Sequence, residues 1–405
     1  MTVEPGTFGS LRELNRLRVV DALRRSGTAS RSELASLTGL SRTTVASLVA
    51  DLQSRGLIVE QSDGRVGPAG RGRPPAILRL DASAGAALGV DFGHAHVRVA
   101  VADLSSTVLA ERFVELEVDD DAATALDTAA RLATEVLAEA GIERSRVIGA
   151  GMAVSGPIDR HTGTIASTVI PAWAGIKAGE ELTRRLEVPV ELDNDANLGA
   201  LAEVSFGAGR GLADVVYAMV SSGVGAGLVL NGRLHHGATG IAGELGHVRV
   251  RDDGAVCRCG NRGCLETIAS TGALLALLRP AHGPDLTLRG MLELVAGGDI
   301  AARRLVADAG RAVGRALADL CNHLNPAAII VGGDLSAAGE PLLEGVREAV
   351  DRYALPGAAQ AVEVKAGVLG ERAEVLGALA VVIADTDRLH SAGLAPLRTG
   401  GATRV

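Results

Sequence analysis

The most informative part of the chain is residues 240–266, GIAGELGHVRVRDDGAVCRCGNRGCLE. Three of the four cysteines, Cys257, Cys259 and Cys264, lie here within eight residues, and His247 precedes them. Three thiolates and one imidazole fill the tetrahedral shell that zinc takes in structural sites. The spacing therefore predicts a closed, structural Zn²⁺ site. A group of buried or redox-active cysteines is the alternative interpretation.

The residues between these ligands also suit a metal site. Gly260 and Gly263 permit a tight knuckle, and we expect the side chains of Arg258, Asn261 and Arg262 to face water. A disulfide would leave one of the three neighbouring cysteines unpaired and is disfavoured in a reducing compartment.

Several polar residues lie in otherwise apolar surroundings and indicate a ligand site. Residues 193–197, DNDAN, follow a predicted strand, Glu244 and His247 lie in GELGH, and Glu266 follows the last cysteine. Carboxylates and an amide in one cleft suit a sugar, whose hydroxyls both donate and accept hydrogen bonds. For Asp195 or Glu266 taken alone, a helix cap or a solvated surface position is the other interpretation.

The composition changes at residues 61–75, QSDGRVGPAGRGRPP, which indicate a loop or linker. After it, short apolar strands alternate with Ala/Leu-rich helical runs, which is typical of an α/β protein. Two similar hairpin units, 88–113 and 215–235, predict two related lobes. We therefore expect a winged helix over 1–80 with its wing or linker at 61–75, a first lobe over 81–196, and a second over 197–405. The second lobe would carry the zinc knuckle, and the C-terminal helix would pack back on the first.

Residues 11–60 are typical of three helices. Ser30 and Glu33 form a predicted capping box, and Ser41 is a good N-cap for the helix that follows. Two helices joined by a short turn fit a helix-turn-helix unit, in which the start of the second helix meets DNA. A three-helix protein-interaction domain is the alternative. The predicted DNA contacts are Ser41, Arg42, Thr43, Thr44 and Ser47 in the helix, with Arg65, Arg71 and Arg73 in a wing suited to the minor groove.

The overall charge obscures this prediction. The chain has 405 residues, 47% of them hydrophobic and 22% charged, which excludes a disordered or collagen-like protein. Its net charge of −8 argues against a nucleic-acid partner, but residues 1–80 carry 12 Arg against seven acidic residues, about +5, which leaves −13 elsewhere. There is no apolar run of the roughly 20 residues that a membrane helix needs. Without a signal pattern at the N-terminus, we expect a cytoplasmic protein that does not enter membranes.

Four motifs together resemble the ROK family (repressors, open reading frames, kinases), in its DNA-binding repressor branch. They are SGPID at 155–159, NDAN at 194–197, GIAGELGH at 240–247 and CRCGNRGCLE at 257–266. The resemblance implies a two-lobed, actin-like ATPase fold with a zinc-shaped sugar pocket. It implies sugar contacts from Gly156, Asn194, Asp195, Glu244, His247 and Glu266, with His247 using one ring nitrogen for zinc and the other for the sugar. It also implies a homodimeric or homotetrameric repressor of carbohydrate genes, released from operator DNA by a sugar.

The same family contains sugar kinases, in which the position of Asp195 serves as catalytic base. Those kinases open their first lobe with Asp-x-Gly-Gly-Thr, whose small residues reach the ATP phosphates. Here the stretch is DFGHA, with His94 and Ala95 in place of Gly and Thr. We therefore predict a sugar sensor without enzymatic activity. A sugar kinase with an appended DNA-binding domain and a sugar-independent repressor are the alternatives.

Overall fold

The computed structural model describes residues 8–61, 76–165 and 170–384. The helices are α1 (Phe8–Ser26), α2 (Arg31–Thr38), α3 (Arg42–Ser54), α4 (Ala122–Ala140), α5 (Ala178–Leu186), α6 (Asp195–Phe206), α7 (Glu266–Ala269), α8 (Thr271–His282), α9 (Leu288–Ala296), α10 (Ile300–Leu324), α11 (Glu340–Tyr353), α12 (Pro356–Ala361) and α13 (Ala373–Ala384). The strands are β1 (Ala29–Ser30), β2 (Ile58–Gln61), β3 (Ile77–Leu80), β4 (Ala86–Gly93), β5 (His96–Asp103), β6 (Val108–Glu115), β7 (Val147–Val154), β8 (Ile158–Asp159), β9 (Thr164–Ile165), β10 (Val190–Asn194), β11 (Val215–Val220), β12 (Val224–Leu230), β13 (Arg233–Leu234), β14 (Ala328–Gly332) and β15 (Glu363–Ala366).

The N-terminal part is a winged helix. Ser30 and Glu33 form the predicted capping box at the start of α2, Gly39 ends that helix in the left-handed conformation, and Ser41 caps α3. The apolar residues of α3 face α1 and α2, and β1, β3 and β2 form a small antiparallel sheet. The wing residues Arg65, Arg71 and Arg73 lie outside the described residues, so their predicted role stays a prediction.

The rest of the described chain is built around two five-stranded sheets. Their orders are β10-β7-β4-β5-β6 and β15-β14-β11-β12-β13, and in each the central strand pairs in parallel on one side and antiparallel on the other. Because the two sheets repeat one order, the predicted relation between the two hairpin units is confirmed. The division of the chain at residue 196 stays a prediction.

Helices α6 and α13 cross between the sheets. Helix α13 packs on β4, β5 and β7, whereas α6 packs on β11 and β12. A Cβ atom on Gly377 of α13 would lie 1.9 Å from the Leu198 carbonyl oxygen, and one on Gly227 of β12 would lie 2.4 Å from the Ala196 carbonyl oxygen. Glycine at both positions thus permits the backbones to approach closely.

The winged helix shares a core with the first sheet and α13. Val19 and Leu23 of α1 belong to the same buried cluster as Leu379 and Ile383 of α13. Arg24 also donates from Nη2 to the Ile383 carbonyl oxygen at 3.2 Å. The end of α13 is therefore bound to the DNA-binding unit, while its middle crosses α6.

Candidate functional site

A cleft of about 750 Å³ lies between the two lobes. The parallel strands β4, β7 and β10 end on the first-lobe side of it, and β11 and β14 end on the other side. Carboxyl ends of parallel strands meet at one edge of a sheet, which is where ligands bind in open α/β folds. The structure brings together in this cleft all the residues predicted to contact a sugar, namely Gly156, Asn194, Asp195, Glu244, His247 and Glu266.

The first-lobe part of the site is organised around the start of α6. Asn194 caps this helix with its side-chain oxygen and donates from Nδ2 to the Gly156 carbonyl oxygen at 3.1 Å. Asp195 accepts a hydrogen bond from the Ser155 hydroxyl at 2.8 Å and another from the Ala196 backbone N–H at 2.8 Å. Burial raises the pKa of Asp195 in spite of these bonds. Both side chains are thus held in place before a ligand enters.

The second-lobe part contains two carboxylates in different surroundings. Burial, together with the nearby Asp195 and Glu266, raises the pKa of Glu244 to about 7. Glu266 accepts from the Val224 N–H at 3.3 Å and pairs with Arg258, whose Nε lies 3.0 Å from its Oε1. Arg258 is exposed, as predicted, and its side chain also lines the cleft.

The four predicted metal ligands form one cluster. The ligand atoms of His247, Cys257, Cys259 and Cys264 all lie within 4.8 Å of one another, with 3.6 Å between His247 Nδ1 and Cys257 Sγ and 3.7 Å between the other two sulfurs. Zn–S bonds of about 2.3 Å in a tetrahedron place sulfurs about 3.8 Å apart, so the donor set and its spacing fit zinc. His247 Nε2 points the other way and lies 3.6 Å from Glu244 Oε2.

The other half of the cleft is rich in carboxylates. Asp91, Asp334 and Glu374 line it, and burial raises the pKa of both Asp334 and Glu374. His96 bonds to Asp91 at 2.9 Å, and His94 bonds to Asp119 at 2.7 Å, which raises the pKa of His94. Burial therefore favours the neutral, protonated form of Asp334 and Glu374 over the charged form.

The start of α3 presents the predicted DNA contacts on one surface. Ser41, Arg42, Thr43 and Ser47 are exposed, and Thr44 is half-buried. The Ser41 hydroxyl accepts from the Thr44 N–H at 3.1 Å and bonds to the Thr43 hydroxyl at 2.8 Å, so it forms part of the cap. An exposed arginine and hydroxyls at a helix N-terminus form a suitable surface for phosphates and base edges.

Sequence reasoning missed several residues of the cleft. Ser155 lies in the motif SGPID, but its hydrogen bond to Asp195 depends on β7 and β10 being neighbours in the sheet. Arg258 lies between two metal ligands, and only the path of the knuckle directs it to Glu266. The composition of the knuckle contains no signal for that direction.

The fold and site define a two-lobed protein built like a sugar kinase, with a winged helix attached. Residues 87–385 match the ROK family and residues 13–67 match the MarR family, so the chain belongs to the ROK family and carries a MarR-type winged helix. The chain is 28% identical over 393 residues to the xylose repressor of Caldicellulosiruptor bescii, covering 94% of this chain and 98% of the relative.

Two solved structures are also similar. A ROK family transcriptional regulator, a homologue of the Escherichia coli MLC protein, has a TM-score of 0.78 and 25% identity, covering 95% of this chain and 98% of its own. A ROK family glucokinase from Streptomyces griseus, in complex with glucose and AMPPNP, has a TM-score of 0.65 and 29% identity, covering 73% of this chain and 99% of its own. Along the described residues, no helix is both long and apolar enough to cross a membrane.

Proposed function

We propose that the protein is a sugar-responsive transcriptional regulator that represses genes of carbohydrate uptake or catabolism. The observation that carries the proposal is the combination, in one chain, of an exposed recognition helix and a polar cleft between two lobes. The xylose repressor relative and the glucose-bound neighbour support a sugar as effector. The proposed sugar contacts are Gly156, Asn194, Asp195, Glu244, His247 and Glu266.

Calorimetry with glucose, xylose and N-acetylglucosamine, with and without operator DNA, tests this function. The operator is obtained as genomic fragments that the full-length protein selects. We expect one sugar to bind and to lower the affinity for the operator, and Glu266→Ala to abolish that response. A protein whose operator affinity no sugar changes would instead be a sugar-independent repressor.

The metal cluster would hold a structural zinc ion. The donor set and its distances fit, with Nδ1 of His247 and the three thiolates as ligands. When bound, zinc would supply a fixed cross-link, and because four protein ligands close its shell, we assign it no chemical step. Nε2 of His247 would then be free to contact the sugar.

Metal analysis tests the zinc assignment. We expect about one zinc per chain in the wild type and far less in Cys264→Ser. Cys321→Ser is the matched control, since Cys321 is buried in α10 outside the cluster. Equal zinc in both variants would contradict the assignment.

The winged helix would bind operator DNA through Ser41, Arg42, Thr43, Thr44 and Ser47, with Arg65, Arg71 and Arg73 from the wing. The chain would act as a homodimer or homotetramer, in which sugar binding moves the lobes and changes the spacing of the paired winged helices. We expect Arg42→Ala to weaken operator binding and Arg289→Ala, at an exposed position of α9, to leave it unchanged. Sedimentation of the full chain measures the assembly.

The substitutions in the first phosphate motif, DFGHA at 91–95, favour ligand sensing over phosphoryl transfer. Catalysis of that reaction depends on positioning the phosphates and neutralising their charge, and His94 and Ala95 take the places of the Gly and Thr that reach the ATP phosphates in the related kinases. An ATP-coupled assay with the sugar that binds is the test. Turnover that Asp195→Asn abolishes would establish the alternative, a sugar kinase with an appended DNA-binding domain.

A further inference from the structure

The carboxylate of Asp193 joins the two lobes next to the proposed sugar site. Asp193 is 5% exposed and is the last residue but one of β10, in the first lobe. Its Oδ1 accepts from the Asn194 N–H at 2.8 Å and from Asn197 Nδ2 at 2.9 Å. Its Oδ2 accepts from Nε2 of His236 at 2.7 Å. His236 belongs to the second lobe, two residues after the end of β13, so this contact crosses between the lobes.

The bond to His236 is backed by a further contact at the same atom. Arg160 Nη1 lies 3.4 Å from Asp193 Oδ2. Burial raises the pKa of Asp193, but the hydrogen bonds from His236 and Asn197 outweigh burial and hold the pKa below its ordinary value. The carboxylate is therefore ionised. An ionised carboxylate is an acceptor only, and His236 therefore carries its proton on Nε2. Charge-assisted bonds of this kind are among the stronger ones in proteins.

His236 begins the loop that leads to the second-lobe half of the site. Its carbonyl oxygen accepts from the Ala242 N–H at 3.1 Å, which closes the loop. The Thr239 carbonyl oxygen accepts from the Arg160 N–H at 3.0 Å. Gly240 has a φ of +105°, and a Cβ there would lie 2.6 Å from the Ile158 carbonyl oxygen. The loop is thus held against the first lobe along its length before it reaches Glu244.

We propose that Asp193 and His236 are positioning residues that set the distance between the two halves of the sugar site. Asn194 and Asp195 follow Asp193 directly, and Glu244 and His247 follow the loop that His236 anchors. Neither Asp193 nor His236 lines the cleft, so they act on the sugar through these neighbours. The inference rests on the proposed function, since it concerns how the same site is held together.

Sugar titration of His236→Ala, using whichever of glucose, xylose and N-acetylglucosamine binds the wild type, tests this role. We expect the dissociation constant for the sugar to rise at least about tenfold, which is the loss of affinity expected when one charge-assisted hydrogen bond is removed. His235→Ala is the matched control, because His235 is the exposed neighbour in the same loop. His236→Gln keeps an N–H donor and should recover most of the affinity. Asp193→Asn should resemble His236→Ala.

Zinc content and unfolding temperature, measured on the same samples, separate positioning from general damage. We expect His236→Ala to retain its zinc and its operator affinity without sugar. Wild-type sugar affinity in His236→Ala, an equal loss in His235→Ala, or loss of zinc together with sugar binding would each overturn the proposal. A wild type that binds none of the three sugars would instead refute the sugar-sensing function on which it rests.

Discussion

Replacing Gly377 with alanine tests the close crossing of α6 and α13. A Cβ at this position would lie 1.9 Å from the carbonyl oxygen of Leu198 and 2.4 Å from its carbonyl carbon. Carbon–oxygen contacts need well over 3 Å, so α13 and α6 would have to separate by about 1.5 Å. Because the opposing atoms are backbone, no change of rotamer relieves the overlap. The two helices would have to move as units.

The expected cost follows from two opposing effects. Overpacking a well-packed interface costs about 1–3 kcal/mol, and a backbone obstacle places this site at the upper end. Alanine in a helix interior recovers up to about 1 kcal/mol relative to glycine. We therefore expect Gly377→Ala to lower the free energy of unfolding by about 2 kcal/mol.

Urea unfolding followed by circular dichroism measures this difference. Gly272→Ala is the matched control, because Gly272 lies in α8 and a Cβ there meets nothing within 4 Å. The control should be unchanged or slightly more stable. If Gly377→Ala were as stable as the control, with an unchanged dependence on urea, the close crossing of α6 and α13 would be refuted.

Three further predictions concern the winged helix and the cleft. Ser30→Ala removes one half of the capping box and should destabilise the winged helix by about 1 kcal/mol in thermal unfolding; no change would mean that the cap is not formed in solution. Asp119→Asn should lower the pKa of His94, because the bond to Asp119 is the main cause that raises it, and NMR titration of the ring measures the shift. The stabilisation from that pair is present below the ordinary histidine pKa of about 6.5 and is lost as pH rises through the folded value, so Asp119→Asn should cost stability at acidic pH only. Arg258→Gln should weaken sugar binding and leave the zinc content unchanged, since the guanidinium pairs with Glu266; full affinity would show that this pair plays no part.

Local signals in the sequence were sufficient to predict the helices of the winged helix and the cluster of one histidine and three cysteines. The capping box at Ser30, the N-cap at Ser41 and the apolar spacing in α3 depend on residues three or four apart, and the structure contains all of them. The predicted metal ligands are also close together in the chain, since three of the four lie within eight residues. Interactions over such short separations are set by the local sequence, because the backbone can arrange residues three or four positions apart in only a few ways.

Contacts between distant segments required the tertiary structure. Asp193 and His236 are 43 residues apart, and nothing in either local sequence pairs them. The glycines of β12 illustrate the same limit: Gly227 could serve a tight turn or a phosphate loop, but in the structure it makes room for the start of α6. Arg258 lies at the surface, as its neighbours predict, but its pairing with Glu266 depends on the fold.

The sequence by itself thus determined the family, the winged helix, the cluster of one histidine and three cysteines, and the set of polar residues in the cleft, because each depends on residue type at short spacing. Only the tertiary structure decided which of those polar groups bond to one another, that α13 joins the interlobe crossing to the winged helix, and that buried carboxyl groups line the second half of the cleft. These features arise where separate strands end side by side. Their geometry depends on how two sheets and two crossing helices pack, which no short stretch of sequence encodes.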